Sequence, residues 1–322
     1  MNIIVKLYSE FIAGSGCTKA LADMGGSTGV VMSNSPAIFA RLGLEYESIS
    51  FELPIERHIE RLQTFKPDLL YTMPSILDHI VYAAENPRAF GIRKMILLGE
   101  FTTPKWRRNM ARLFGIEPHD IMVTYGSTEL GLIASYSHHL DRYILVDGIF
   151  AEGIATHELG GEFEPLGKNE SILVLTSLNR KLFPALRFVT YDVVRDFRPV
   201  MVNGAERQSF ESIVKRVGRE LKHGEKISLY DIEQAVYRHV EDAMIRVKVR
   251  NNSLTVYIKS KSAVDSLIST IREEIMDCIP EIGTMIRNRL LNEIEVIWVA
   301  NDEQLLSGLI KNKKIYYESG EF

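Results

Sequence analysis

The heptapeptide Thr124 to Leu130, TYGSTEL, sets an aromatic ring, a glycine, a hydroxyl pair and a carboxylate side by side. Tyr125 offers a flat face to a base or an aryl ring, and Gly126 allows close approach of the backbone. Ser127 and Thr128 can hydrogen-bond phosphate oxygens, and Glu129 can hold Mg²⁺. These types suit nucleotide phosphate chemistry; an ordinary strand-to-loop turn is the alternative on these residues alone. Two Gly/Ser/Thr clusters lie upstream, at Gly14 to Gly16 and Gly25 to Gly29. Neither fits GxxxxGK[ST], so both read as flexible or helix-capping loops, with phosphate cradling as the alternative. His138 and His139 lack a CxxC or HxxxH partner pattern, which speaks against a metal role. Trp106, Arg107 and Arg108 read as a helix face, or as part of an acyl pocket.

Such a turn needs strands that end at it. IMV ahead of TYGSTEL is an apolar run of strand type and GLIASYS follows, so a buried strand should end in a tight turn that aims polar groups into a cleft. Upstream, NIIVKLYS alternates as a strand does, and SPAIFARLGL predicts a helix with Ser35 as N-cap, Pro36 in the first turn and a stop at Gly43. EYESISF is strand-like, and LPIERHIERLQTFKPDLLYT reads as helix, Pro67 stop and strand. PSILDHIVYAAEN predicts a helix, RKMILLGE a buried strand ending at Gly99, and TPKWRRNMARLFG an amphipathic helix. Strands alternating with helices imply a mainly parallel sheet whose ligands sit beyond the strand carboxyl ends, where Gly99, Glu100 and the TYGSTE turn fall.

From about Ala134 the helical period fades, and RYILVDGIFAEGI, ESILVLTSL, LRFVTYDVVRDFRPV and ERQSFESIVKRV predict a β-rich subdomain over about 134–217. The charged VGRELKHGEK is a linker signature. Beyond it come a helix in SLYDIEQAVYRHVE, strands in AMIRVKVR and SLTVYIKS joined at Asn251–Asn252, a long helix in SAVDSLISTIREEIMDCI, a strand in IEVIWVA and the tail GLIKNKKIYY. The expected fold class is α/β: a large domain over 1–217 with a mainly parallel sheet plus the β-rich subdomain, then a small mobile α+β C-terminal domain over 218–322.

At 322 residues the chain exceeds the usual size of one core, which favours about two domains. Its 46% hydrophobic and 25% charged residues are those of an ordinary globular protein. A net charge of −4 argues against a nucleic-acid-coating surface and against binding to anionic membranes. Cys17 and Cys278 are too few for a disulfide scaffold or a cysteine-based zinc site and read as inert packing residues. No apolar stretch approaches a bilayer span and MNIIVKLYSEF is no signal peptide, so a cytoplasmic protein is expected.

From about Arg41 to Ile315 the chain resembles the adenylate-forming superfamily of acyl-CoA synthetases and adenylation domains, and within it the phenylacetate-CoA ligase-like branch. The motifs that carry the resemblance are RLGL, ERLQTFKPDLLYTMPS, LLGE, TYGSTE, ESILVLTSLNRKLFPALRFVTYD, VGR and the lysine-rich tail, in the family's order. The resemblance implies that Gly99 and Glu100 border an adenine pocket, that Tyr125 packs against the base, and that Gly126 and Ser127 belong to the same phosphate turn. Thr128 would touch the α-phosphate and Glu129 would hold Mg²⁺. Asp192 would accept hydrogen bonds from both ribose hydroxyls, Arg187 or Arg219 would lie near the nucleotide, and Gly218 with Arg219 would begin the hinge. Lys314 would be the catalytic lysine, with Lys313 as the adjacent candidate. From the residues alone, Asp192 could instead pair with Arg195, Arg187 could be a structural strand arginine, and Lys311, Lys313 and Lys314 could be a solvated tail.

The implied chemistry is ATP-dependent activation of a small, aromatic carboxylic acid as its acyl-adenylate, with transfer to coenzyme A or to another thiol, amine or protein acceptor. ATP, AMP and Mg²⁺ are the implied cofactors, and a homodimer is one assembly compatible with the sequence. Relative to the family pattern the chain is N-terminally truncated. About forty residues precede RLGL, where the family carries a phosphate loop ending in lysine, and AGSGCTKA is at most a shortened relic of it. After Gly218 and Arg219, Glu220 stands in place of the usual aspartate. A non-catalytic module that binds a nucleotide or acyl-adenylate on the same fold is the competing reading.

Overall fold

The computed structural model describes residues 2–23, 30–50, 53–127, 129–159, 165–177, 179, 184–216, 229–250, 253–279, 282, 286, 294–300 and 315–318. The order begins α1 (Asn2–Ile12), β1 (Lys19–Asp23), α2 (Val30–Arg41), β2 (Glu45–Ile49), α3 (Ile55–Phe65), β3 (Leu69–Thr72), α4 (Pro74–Ala83), β4 (Lys94–Leu97), α5 (Pro104–Phe114) and β5 (Ile121–Ser127). Then follow β6 (Gly131–Ser137), β7 (Arg142–Leu145), β8 (Ile149–Ile154), β9 (Glu170–Ser177), β10 (Ala185–Arg195), β11 (Arg198–Val202), β12 (Ala205–Phe210) and β13 (Ser212–Arg216). The last part holds α6 (Leu229–Val236), β14 (Met244–Arg250), β15 (Ser253–Lys259), α7 (Leu267–Cys278), β16 (Glu295–Trp298) and β17 (Ile315–Glu318).

LLYT of β3 is buried at every position, the pattern of a parallel strand covered on both faces. It lies inside a nine-stranded sheet of order β11-β12-β7-β6-β5-β4-β3-β1-β2. The half from β2 to β5 is parallel, with Leu70 opposite Met95 and Ile96 opposite Met122. From β5 onward the pairing is antiparallel, so the segment expected to form a separate β-rich subdomain is split. Four of its strands extend the large sheet, and β13-β10-β9-β8 form a second one.

Two local expectations fail. Asn2–Ile12 is a helix, not a strand. Over eight residues NIIVKLYS satisfies either period, and the helix wins because Ile4, Tyr8 and Ile12, four apart, all face the core, where Tyr8 meets Tyr71 edge-on at 6.2 Å. α2 begins at Val30, so Pro36 stands inside the helix and Ser35, 2% exposed, is buried there rather than capping it.

The C-terminal sheet has the order β16-β15-β14-β17, and β14 and β15 form a hairpin with Arg250 opposite Ser253. It docks on α4 and α5: Lys259 Nζ lies 3.7 Å over the Tyr82 ring, Lys261 Nζ donates to the Ala84 carbonyl at 3.2 Å, and Arg112 pairs with Glu241 at 2.8 Å. Ile232, Val236 and Val256 join the same apolar core as Leu77 and Ile80. Burial pushes the thiols of Cys17 and Cys278 up. Among the described residues no helix is long and apolar enough to cross a membrane.

Candidate active site

The carboxyl ends of β4 and β5 open on a cavity of about 320 Å³. Gly99, Glu100, Phe101, Tyr125, Gly126, Ser127, Glu129 and Asp192 all line it. Two turns far apart in sequence therefore meet in front of the parallel strands, as expected for a sheet of this type.

At the first turn, β5 and β6 form a hairpin whose register shifts between Tyr125 and Gly126. A Cβ on Gly126 would stand 2.6 Å from the Gly131 carbonyl oxygen, so the turn closes only around glycine. Gly126→Ala is expected to lower stability by about 1–3 kcal/mol through overpacking, read as a lower midpoint in denaturant unfolding. Ser127 lines the cavity while its Oγ accepts the Leu130 N–H at 3.1 Å, tightening the turn. Glu129 is exposed at the cavity wall, and Thr128 lies outside the described residues.

Gly99, two residues beyond β4, has φ +84°, a conformation glycine reaches without strain. The next residue ties that end to α4: the Glu100 carboxylate accepts the Ser75 N–H at 2.7 Å and the Ser75 hydroxyl at 2.8 Å. Glu100 thus borders the cavity with its carboxylate already engaged at a helix N-terminus, where negative charge is favoured.

The second turn is a distortion of β10. Its pairing with β9 slips between Val189 and Val193, and Tyr191 sits at φ +61°. Such a bulge re-aims a side chain, here that of Asp192. The Tyr125 hydroxyl donates to Asp192 Oδ2 at 2.6 Å, so one aromatic side chain physically joins the two turns. Burial pushes the Asp192 carboxyl above its ordinary range, opposed by the Tyr125 hydrogen bond and the charge of Arg216. Burial and the neighbouring Asp192 raise the Tyr125 phenol, which stays protonated as the donor. One hydrogen bond leaves most of the carboxylate's acceptor positions for a ligand. The pairing of Asp192 with Arg195 does not form, because Arg195 is drawn to Glu170 at 3.2 Å and Asp231 at 3.9 Å.

Arg187 lies away from this wall. Its Nε donates to Glu152 at 3.0 Å on the surface, and it is absent from the cavity wall. The guanidinium at the cavity belongs to Arg216, whose Nε stands 3.6 Å from Asp192 Oδ1 and whose Nη2 donates to the Thr190 carbonyl at 3.1 Å. Arg216 is the direct cross-strand partner of Asp192, a register that no local motif reveals. Phe188, Thr190 and Tyr143 also line the wall and were equally silent in sequence. Trp106 is no pocket residue: it is fully buried and its indole donates to Asp78 at 2.7 Å. His138 bonds the Ile121 carbonyl at 2.8 Å, and among the described residues no cluster of His, Cys, Asp and Glu suits a metal ion.

AGSGCTKA lies at the wrong end of the sheet for phosphates. The backbone N–H groups of Thr18 and Lys19 donate to the Asp68 carboxylate at the amino ends of β1 and β3, opposite the cavity. The second cluster, Gly25 to Gly29, falls between the carboxyl end of β1 and the start of α2, outside the described residues. Gly218, Arg219, Lys311, Lys313 and Lys314 also lie outside them.

The sequence pattern of the fumarate--diaminopropanoate ligase C-terminal domain matches residues 222–302. Fumarate--(S)-2,3-diaminopropanoate ligase of Enterobacter agglomerans is 34% identical over 303 residues, covering 94% of this chain and 74% of that protein. Phenylacetate-coenzyme A ligase of Aromatoleum evansii is 30% identical over 152 residues, covering 45% of this chain and 33% of that protein. Among solved structures, 2-hydroxyisobutyryl-CoA ligase in the postadenylation state, in complex with R3-HIB-AMP, shares the fold with a TM-score of 0.74. Identity to it is 16%, with 98% of this chain and 69% of that chain covered.

Proposed function

Because the chain belongs to the adenylate-forming superfamily of ligases, we propose that it activates a small unsaturated dicarboxylic acid as an acyl-adenylate and passes the acyl group to an amine. The observation that carries the nucleotide half of this reading is the meeting of Glu129 and Asp192 on one cavity. Asp192, held by Tyr125, accepts the two ribose hydroxyls, since a carboxylate is the natural acceptor for a diol. Gly99 lets the base approach the backbone, and Arg216 adds positive charge at the same wall.

Mg²⁺ fits Glu129 as its single protein carboxylate, the nucleotide's phosphate oxygens completing the shell. Bound there, the ion would neutralise phosphate charge. Lys314 then supplies charge to the reacting centre when the C-terminal domain covers it.

The resemblance alone points to an aromatic acid and to coenzyme A as readily as an amine. The relative that matches 94% of the chain is named for fumarate and a diamino acid, whereas the phenylacetate-coenzyme A ligase matches 45%. That difference supports the dicarboxylate and the amine. ATP–pyrophosphate exchange over fumarate, succinate, benzoate and phenylacetate tests it. Exchange with fumarate at least tenfold above the aryl acids is expected; a preference for phenylacetate would return the substrate to the aromatic class.

A further inference from the structure

A second cavity, of about 290 Å³, adjoins the first and shares Phe101, Tyr143 and Ile213 with it. Arg107 lines it at 2% exposure. Its Nη1 donates to the Thr102 carbonyl at 2.9 Å and hydroxyl at 3.0 Å, and its guanidinium carbon lies 3.7 Å over the Tyr136 ring. Among the described residues Arg107 Nε has no hydrogen-bond partner and the guanidinium makes no ion pair with a carboxylate. A buried cation without a counter-ion is costly, and a carboxylate is the partner its planar fork fits. The cavity also carries acids: Asp141, which accepts the Tyr136 hydroxyl at 3.1 Å, half-buried Glu211, and Glu233 from α6. One small cavity thus presents a cation to a carboxylate and carboxylates to an ammonium group.

We infer that this second cavity holds the acceptor of the reaction, a small amino acid whose carboxylate pairs with Arg107 and whose ammonium group faces Glu211 and Asp141. The inference rests on the amide-forming reading above. In the transfer step the ammonium group first gives one proton to water; the neutral amine nitrogen then attacks the acyl carbonyl and a C–N bond forms. The acyl C–O bond to phosphate breaks with its electron pair leaving on AMP, and the nitrogen's proton passes to water.

The test compares (S)-2,3-diaminopropanoate with 1,2-diaminoethane, which lacks only the carboxylate, as acceptors for the full chain supplied with ATP and fumarate. The native chain should favour the diamino acid by about 10²-fold in kcat/KM, the scale of one charge-assisted contact. Arg107→Gln should reduce that ratio to below about tenfold, and because the ratio is internal to one variant, partial loss of activity does not affect it. Should Arg107→Gln fail to fold, Glu211→Gln is expected to lower kcat/KM for the diamino acid about tenfold. Equal use of both amines by the native chain, or an undiminished ratio in Arg107→Gln, overturns the inference. Absence of pyrophosphate exchange with every acid would instead remove the ligase reading on which it stands.

Discussion

Lys314→Ala should lower acyl-adenylate formation by about 10²–10³-fold while leaving ATP affinity within a factor of two or so, the pattern of a donor that acts only in the transition state. Attack of a carboxylate on the α-phosphate asks the protein for positioning and for charge where charge develops, not for covalent help. In sequence Lys314 directly precedes β17, whose first residue, Ile315, pairs with Val247 of β14. On the proposed reading, a lysine carried by the C-terminal domain would reach the cavity as that domain closes, which would couple chemistry to closure. Exchange kinetics and calorimetry with ATP, run on the same preparation, separate the two effects. A fully active variant would transfer the role to Lys313 or remove it from the tail altogether.

Asp192→Ala should weaken AMP and ATP binding by about 10²-fold, because two hydrogen bonds from a diol to a charged acceptor are lost together. The same change leaves the Tyr125 hydroxyl without its acceptor in a buried place, so Asp192→Asn is the informative companion. It keeps an acceptor for Tyr125 and loses the charge. The pH dependence has a definite sign: Asp192 titrates above its ordinary value because burial disfavours its charge, and the protonated form is the poorer acceptor. Nucleotide affinity should therefore fall as pH drops through that raised pKa, and the fall should vanish in Asp192→Asn. Equilibrium dialysis with AMP across acidic pH measures both. Affinity unchanged in Asp192→Ala would take this carboxylate out of the site.

Much of this site was legible in the residues. TYGSTEL announced itself because a buried strand runs into a polar turn there; β5 continues through Gly126 to Ser127, and the glycine marks a shift in its register with β6 rather than its end. Asp192 was legible only through family resemblance, since its aim comes from a bulge in β10 that no pattern of apolar residues encodes. Arg216 was invisible for a related reason: β13 brings it opposite Asp192 by sheet register, and register is a property of two strands at once. Arg187 is the guanidinium next to the motif in sequence, yet it pairs with Glu152 while Arg216 stands at the cavity wall. α1 was misread because eight residues are too few to separate the two periods. Arg107, read as part of a helix face or of an acyl pocket, is buried against Tyr136, a contact between α5 and β6 that residues along the helix do not announce.

A crystal structure of the chain with AMP tests the central claim most directly. The ribose diol should lie on the Asp192 carboxylate, with the base between Gly99 and Tyr125 and the phosphate at the Glu129 turn. A nucleotide bound elsewhere, or with its ribose turned away from Asp192, would contradict it.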